Sequence, residues 1–410
     1  MNKYDVVVIG AGPAGVAASI AADKQGKKVF LIEREARLGG ILKQCIHDGF
    51  GLIRFKQRLS GPEYVENTKV EFVTLTFVCD IQKKGDEYIL HLVNRKGVFE
   101  VVAKTIVLAT GCRERTAKQV FIQGTRPSGI FTAGTAQYFV NILGKMPSKK
   151  CVILGSGDIG LIMARRLTLE GAKVEGVYEV KSSPSGLTRN IAQCLDDYDI
   201  PLHLSNTVTK VYGENRLEAV EVSQVDKNMR PIKGTERKID CDALVLSVGL
   251  IPENEVADSL DIPLDNRTKG PTVDQTLMTM KEGVFACGNA LHVNDLVDYV
   301  SEGAEIAGEN AAKYKKTDRR LIDIEIDKRF LYIVPQKIDV NSLLDNIKIY
   351  FRSKDDLDDV NVVIYINNKK FKSRRFLHLR PPEMESLLIN LSKENISADT
   401  KIKLRIEDRK

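Results

Sequence analysis

Two copies of one strand–turn–helix–strand unit constrain this chain more than any other feature. The first copy runs from the apolar strand Tyr4-Asp-Val-Val-Val-Ile9 into Gly10-Ala-Gly-Pro-Ala-Gly15, through an alanine-rich helix that stops at Gly26, to the strand Lys28-Val-Phe-Leu-Ile-Glu33. The second runs from Cys151-Val-Ile-Leu154 into Gly155-Ser-Gly-Asp-Ile-Gly160, through a helix that reaches Glu170 and stops at Gly171, to the strand Lys173–Glu179. A lone Gly-x-Gly-x-x-Gly carries little weight, because glycine turns are common. Here each one links a strand to a helix, and each second strand ends in an acid, Glu33 standing 23 residues after Gly10 and Glu179 standing 24 after Gly155. In such a unit the first glycine makes the tight turn, the second lets backbone approach a pyrophosphate, and the third lets helix and strand pack closely. The diphosphate then meets a helix N-terminus, where N–H groups and the dipole favour negative charge, and the acid accepts hydrogen bonds from a ribose. Two complete signatures imply two dinucleotide sites on one chain.

Each copy carries a companion strand that ends in a small-residue turn, Thr105-Ile-Val-Leu-Ala-Thr-Gly111 after the first and Asp242-Ala-Leu-Val-Leu-Ser-Val-Gly249 after the second. A third apolar strand, Gly283-Val-Phe-Ala-Cys-Gly288, feeds a helix expected from about Asp295 to Lys315, with alanine and glycine on its packing face and Asp298 completing an N-terminal cap. Past residue 318 short alternating segments such as Ile347-Lys-Ile-Tyr-Phe351 read as a small all-β appendix, separable from both cofactor sites because every fingerprint precedes it. The expected fold is α/β: two Rossmann-like dinucleotide-binding domains, the second (119–249) inserted into the first (1–118 and 250–318), followed by a C-terminal β domain (319–410).

Composition narrows the classes. At 410 residues and 43% hydrophobic the chain supports two or three cores. A net charge of +6 with no tryptophan and no basic–aromatic interleaving argues against nucleic acid. No apolar run approaches the roughly 20 residues of a membrane helix and no signal peptide precedes the first strand, so a cytoplasmic location is expected. The seven cysteines are scattered without a Cys-x-x-Cys pair, which indicates neither a disulfide framework nor a metal site.

These fingerprints resemble the two-dinucleotide flavoprotein (pyridine nucleotide–disulfide oxidoreductase-like) superfamily over about residues 1–318. The resemblance implies FAD on Gly10, Gly12, Pro13, Ala14, Gly15, Glu33 and Arg34, on the Gly39-Gly40 turn, and on Ala109, Thr110 and Gly111. It implies a nicotinamide dinucleotide on Gly155, Gly157, Asp158, Ile159, Gly160, Glu179 and Gly249. A late Gly-Asp turn touches the ribityl chain in that superfamily; here it reads Gly288-Asn289, and asparagine still hydrogen-bonds a hydroxyl but carries no charge. More narrowly, Leu38–Gly51, Gly111-Cys-Arg-Glu-Arg-Thr116 and Gly155–Arg165 are similar to bacterial FAD/NAD(P)-dependent oxidoreductases of the sarcosine oxidase alpha, hydrogen cyanide synthase and opine oxidase type, associated with glycerol-3-phosphate dehydrogenase-like flavoproteins. Implied with it are a small-molecule redox substrate and a homo- or hetero-oligomer with a partner flavoprotein or iron–sulfur subunit.

Three functions stay open: an NAD(P)H-linked FAD oxidoreductase, the FAD-bearing subunit of a hetero-oligomeric amine, amino-acid or hydroxy-acid dehydrogenase, and a single-cysteine peroxidase or disulfide reductase. Glu179 favours NADH over NADPH, because a carboxylate that accepts ribose hydroxyls repels a 2′-phosphate. Cys45 and His47 are the catalytic candidates, since they follow the Gly39-Gly40 turn and a thiolate there could react with a peroxide or disulfide. Local packing or flavin contact is the competing reading for Cys45, and a loop histidine that bonds backbone is the competing reading for His47. Arg113 and Arg115 could hold an anion or merely pair at the surface, whereas Cys79, Cys151 and Cys241 read as core fillers in apolar strands. The basic run Lys369-Lys-Phe-Lys-Ser-Arg-Arg375 reads as a solvated edge strand, with a docking surface as its alternative.

Overall fold

The computed structural model describes residues 2–65 and 68–409. The chain forms two compact units, one made of Met1–Cys112 with Pro252–Lys410 and the other of Arg113–Ile251. Where the chain crosses between them, Cys112–Glu114 pairs with Leu250–Pro252 as a two-stranded ribbon.

In the first unit the strands Glu71–Val73, Val29–Ile32, Asn2–Ile9 and Gly97–Leu108 lie in that order, parallel to one another. Val6, Val7, Val8 and Leu31 are fully buried, as expected of continuous apolar strands covered on both faces. The long strand Gly97–Leu108 divides its second edge: its first half pairs antiparallel with Glu87–Asn94, and Ile106–Leu108 pairs parallel with Val284–Ala286. Helices Pro13–Asp23 and Val297–Lys313 cross closely because both present small residues; a Cβ on Gly308 would stand 2.2 Å from the Ala18 carbonyl oxygen.

The second unit holds a five-stranded parallel sheet in the order Ile130–Thr132, Ala243–Leu246, Lys150–Leu154, Lys173–Glu179, Leu202–Leu204. Helix Asp158–Leu169 buries Leu161, Met163, Ala164 and Leu167 against it. A four-stranded sheet containing Asn206–Tyr212 and Ala219–Gln224 completes the unit.

The C-terminal residues form a five-stranded and a three-stranded sheet around their own core, which includes Ile349, Phe351, Val362 and Leu404. By their contacts they group with the first unit. The reason is polar as well as apolar. Tyr332 and Val334 join the first unit's core, Asp339 N donates to Gln275 Oε1 at 2.8 Å, and Arg319 pairs with the buried Asp274 at 2.5 Å. Among the described residues no helix is long and apolar enough to cross a membrane.

Candidate functional site

The first fingerprint is built by contacts that only glycine permits. Gly10 turns at φ +96°, and a Cβ there would lie 2.4 Å from the Ala109 carbonyl oxygen; a Cβ on Gly15 would lie 1.7 Å from that of Gly10. Gly12 differs, because a Cβ there would meet nothing nearer than Gly40 Cα at 3.8 Å. That is ordinary contact and no clash, at the start of a helix that has Pro13 in its first turn, no side-chain cap and no acid. Glu33 is buried, its Oε2 accepting from Ala11 N and its Oε1 from Glu35 N, both at 2.8 Å. Each carboxylate oxygen retains capacity for a further donor such as a ribose hydroxyl. Gly39 N donates to Ala11 O at 2.7 Å, and a Cβ on Gly40 would stand 3.0 Å from Gly12 Cα, so the Gly39-Gly40 turn lies against the fingerprint.

The remaining first-site residues reach the same place. Gly288, at φ +64°, packs where a Cβ would come within 2.7 Å of Ala14 Cβ. Asn289 Oδ1 accepts from Asn294 N at 3.0 Å, and its Nδ2 donates to Cys112 Sγ at 3.5 Å. Thr110 Oγ1 donates to Glu253 O at 2.5 Å, and Glu253 N donates to Gly111 O at 2.9 Å. Arg34 turns outward to an ion pair with Glu253 at 3.0 Å. Glu253, absent from the sequence reading, therefore ties both Arg34 and the Thr110-Gly111 turn; lying just past the crossing, it belongs to no fingerprint. Asp298 corrects an expectation: the helix starts at Val297 without a side-chain cap, and the Asp298 carboxylate instead accepts from Arg54 N at 3.1 Å.

The second fingerprint repeats the design. A Cβ on Gly155 would lie 2.1 Å from Ser247 O, and one on Gly160 2.6 Å from Ser247 Cβ, while Gly160 N donates to Ser247 Oγ at 3.1 Å. Ser247 thus does for this copy what Ala109 does for the first, a role the sequence signals only through the repeated companion strand. Glu179 is buried; Oε2 accepts from Ser156 N at 3.0 Å and from the Ser156 hydroxyl at 2.6 Å, and Oε1 accepts from Lys181 N at 3.0 Å. Asp158 faces the segment that follows Glu179, Oδ1 accepting from Leu187 N at 2.8 Å and Asn190 Nδ2 at 2.7 Å. Ile159 packs on the unit's core. Gly249 turns at φ +101° and its carbonyl accepts from Arg115 N at 3.1 Å.

Cys45 and His47 are both half-buried. Cys45 closes a 3₁₀ turn, N donating to Leu42 O at 3.1 Å and Sγ lying 3.4 Å from Ile41 O, and the His47 ring packs 5.0 Å from that of Phe50. Burial pushes the thiols of Cys151 and Cys241 up to about 12, as suits core fillers. Cys79 does not join them: it is exposed, on a strand whose ladder shifts register between Val78 and Asp80, so the apolar pattern there misassigns its face.

Glycine turns at Gly10–Gly15 and Gly155–Gly160, each leading into a helix N-terminus and backed by a buried, oriented carboxylate, fit two dinucleotides, with Gly157 the tighter second glycine because a Cβ there would stand 3.0 Å from Ser247 Oγ. The family model for pyridine nucleotide-disulphide oxidoreductases matches residues 4–311, and the chain belongs to that family. It is an FAD- and NAD(P)H-dependent oxidoreductase. Among characterised relatives, an opine oxidase subunit of Agrobacterium tumefaciens is 24% identical over 350 residues, covering 78% of this chain and 67% of that protein. Hydrogen cyanide synthase subunit HcnB of Pseudomonas protegens is 25% identical over 282 residues, 62% of this chain and 58% of that one. Among solved structures, the thioredoxin reductase of T. acidophilum superposes with a TM-score of 0.61 at 20% identity, over 76% of this chain and 99% of its own. The NAD-dependent persulfide reductase of A. fulgidus gives 0.59 at 15% identity over 95% of this chain and 71% of its own. These likenesses carry the fold.

Proposed function

We propose that the first unit binds FAD, that the second binds NADH in preference to NADPH, and that the enzyme moves hydride from the nicotinamide to the flavin and thence to a small-molecule or protein acceptor. The flavin supplies the hydride-accepting chemistry. The chain supplies placement: the N–H groups of the helix N-terminus that follows Pro13 would meet the diphosphate, Glu33 would take the ribose, and Asn289 would offer a neutral amide to the ribityl chain. In the second unit Glu179 takes the ribose of the nicotinamide dinucleotide.

Glu179 carries the coenzyme preference. Its carboxylate is buried and fixed by three donors, so it cannot swing aside for a 2′-phosphate, whose charge it would repel. Stopped-flow reduction of bound flavin tests the reading: NADH reduces it at least about tenfold more efficiently than NADPH, and Glu179→Gln narrows that ratio while slowing NADH, a tenfold ratio corresponding to ~1.4 kcal/mol. Equal or faster reduction by NADPH in the wild type reverses the assignment.

A second reading, the flavin-bearing subunit of a hetero-oligomeric oxidase or dehydrogenase, draws support from relatives that are subunits of opine oxidase, hydrogen cyanide synthase and sarcosine oxidase. Dye reduction by NADH with the isolated chain favours the autonomous enzyme; activity that appears only with a second subunit favours this one.

A further inference from the structure

The residues that follow Asn289 run onto the C-terminal β segment. Asn289 takes its direction from Asn294, whose N–H it accepts at 3.0 Å. Val293 O, next to it, accepts from Arg352 Nη2 at 3.3 Å and from the Tyr332 hydroxyl at 3.4 Å. Asp295 Oδ1 accepts from the same guanidinium at 3.4 Å, and Oδ2 accepts from Met384 N at 3.2 Å. Arg352 is in turn held by the Tyr332 hydroxyl at 2.9 Å and by the carbonyls of Pro381 and Pro382, and its side chain is only 12% exposed. One planar fork thus serves several acceptors at once, which an ammonium point charge cannot do.

His292 fills the space beside this knot. Its ring stands 5.7 Å from those of both Tyr332 and Tyr350, its backbone N–H donates to Gly288 O at 3.2 Å, and the ring Nδ1 has no partner among the described residues although it is buried. An apolar residue would fill that space without leaving a buried nitrogen unsatisfied. Burial first, then the Arg352 charge, pushes the imidazole down to about 3, so the ring is neutral beside the guanidinium.

We propose that Arg352 and His292 are positioning residues of the flavin site: they fix the 289–295 turn and, through Asn289, the surroundings of bound FAD, so that the C-terminal β segment is a working part of that site. The inference rests on the assignment of FAD to the first unit. A purely structural role would be shared by other buried-end arginines of the segment, and Arg329 provides the comparison, since it joins Asp408 at 2.8 Å and Ile406 O at 3.3 Å.

The test uses the full chain as wild type, Arg352→Met, Arg352→Lys, His292→Gln and Arg329→Met. Three quantities are read: the dissociation constant for FAD by fluorescence titration, the visible absorption bands of bound FAD, and its midpoint potential. Arg352→Met raises the dissociation constant about tenfold, the scale of one lost charge-assisted hydrogen bond, and displaces bands and potential. Arg352→Lys restores them in part, and His292→Gln moves them in the same direction. Arg329→Met lowers the melting temperature but keeps wild-type bands and potential. Unchanged bands, potential and affinity in Arg352→Met and His292→Gln overturn the proposal, and so do equal changes in Arg329→Met. If Arg352→Met fails to fold, His292→Gln decides by the same criterion. A wild type that binds no FAD refutes the functional reading itself and is seen before any variant is made.

Discussion

At the scale of single residues, the three glycines of the first fingerprint are not equivalent. A Cβ on Gly15 would collide with the Gly10 carbonyl, whereas a Cβ on Gly12 meets only ordinary van der Waals contact with Gly40 Cα at 3.8 Å. Gly15→Ala should therefore damage the fold, and Gly12→Val should spare it while obstructing the approach of a diphosphate to the helix N-terminus. The expected result is a Gly12→Val protein with near-wild-type circular dichroism and FAD affinity reduced about a hundredfold, ~2.7 kcal/mol, against a Gly15→Ala protein that loses thermal stability. Fluorescence titration with FAD and thermal melts check both. Cys45 supports a different expectation. Its backbone closes a turn and its neighbour Gly61 leaves no room, a Cβ there lying 2.8 Å from Cys45 Cβ. Hydride transfer needs ring alignment and water exclusion rather than a thiol, so Cys45→Ser should keep NADH-dependent dye reduction within a few-fold. If the variant keeps dye reduction yet loses an activity of the wild type toward peroxide or disulfide, the single-cysteine reading replaces the relay.

At the scale of elements, the turn from Gly288 to Asp295 has a pH signature. The His292 imidazole falls from its ordinary 6.5 to about 3 in the folded chain, chiefly through burial and then through Arg352. Below pH 6.5 the unfolded chain therefore takes up a proton that the folded chain refuses until about pH 3. Stability from this neutral ring is full above 6.5 and is lost as pH falls toward 3, at up to ~1.4 kcal/mol per pH unit. His292→Gln removes that dependence, so the stability gap between wild type and variant should narrow from pH 7 to pH 4 in urea melts; parallel curves would show that the imidazole is not held neutral. The sequence made the strands, the two glycine turns and the packing helices legible, because buried parallel strands and alanine–glycine helix faces leave periodic marks. It did not reveal what the turn residues grip. Asp298 looks like a cap in one dimension and serves Arg54, 244 positions away, in three. Ser247 and Glu253 carry no motif of their own, since their contacts are set by tertiary approach.

At the scale of the whole molecule, the C-terminal segment matters because its polar ties enter the first unit's interior. Reading along the chain, every fingerprint lies before residue 318, which makes the rest look removable. The structure places Arg319 against Asp274, whose side chain is 1% exposed, and burial pushes that carboxyl up while Arg319 opposes the shift. Asp274 also accepts from Thr276 N at 2.8 Å and heads the loop that leads to the strand Val284–Ala286, which is followed by the Gly288 turn. Ending the chain at residue 318 removes the guanidinium, the Gln275–Asp339 hydrogen bonds and the Tyr332 and Val334 side chains together. Breaking a buried ion pair by deleting one partner costs about 3–5 kcal/mol, a large part of the ~5–15 kcal/mol that holds a typical domain folded. A chain of residues 1–318 should thus be poorly soluble, or melt well below the full chain and bind FAD weakly. An Arg319→Met full-length variant isolates the first loss: it should melt lower than wild type at pH 7, and the difference should shrink in Arg319→Met combined with Asp274→Asn, because the neutral amide no longer needs a counter-charge. A double variant no more stable than Arg319→Met would show that the lost packing of the β segment, and not the stranded carboxylate, accounts for the effect.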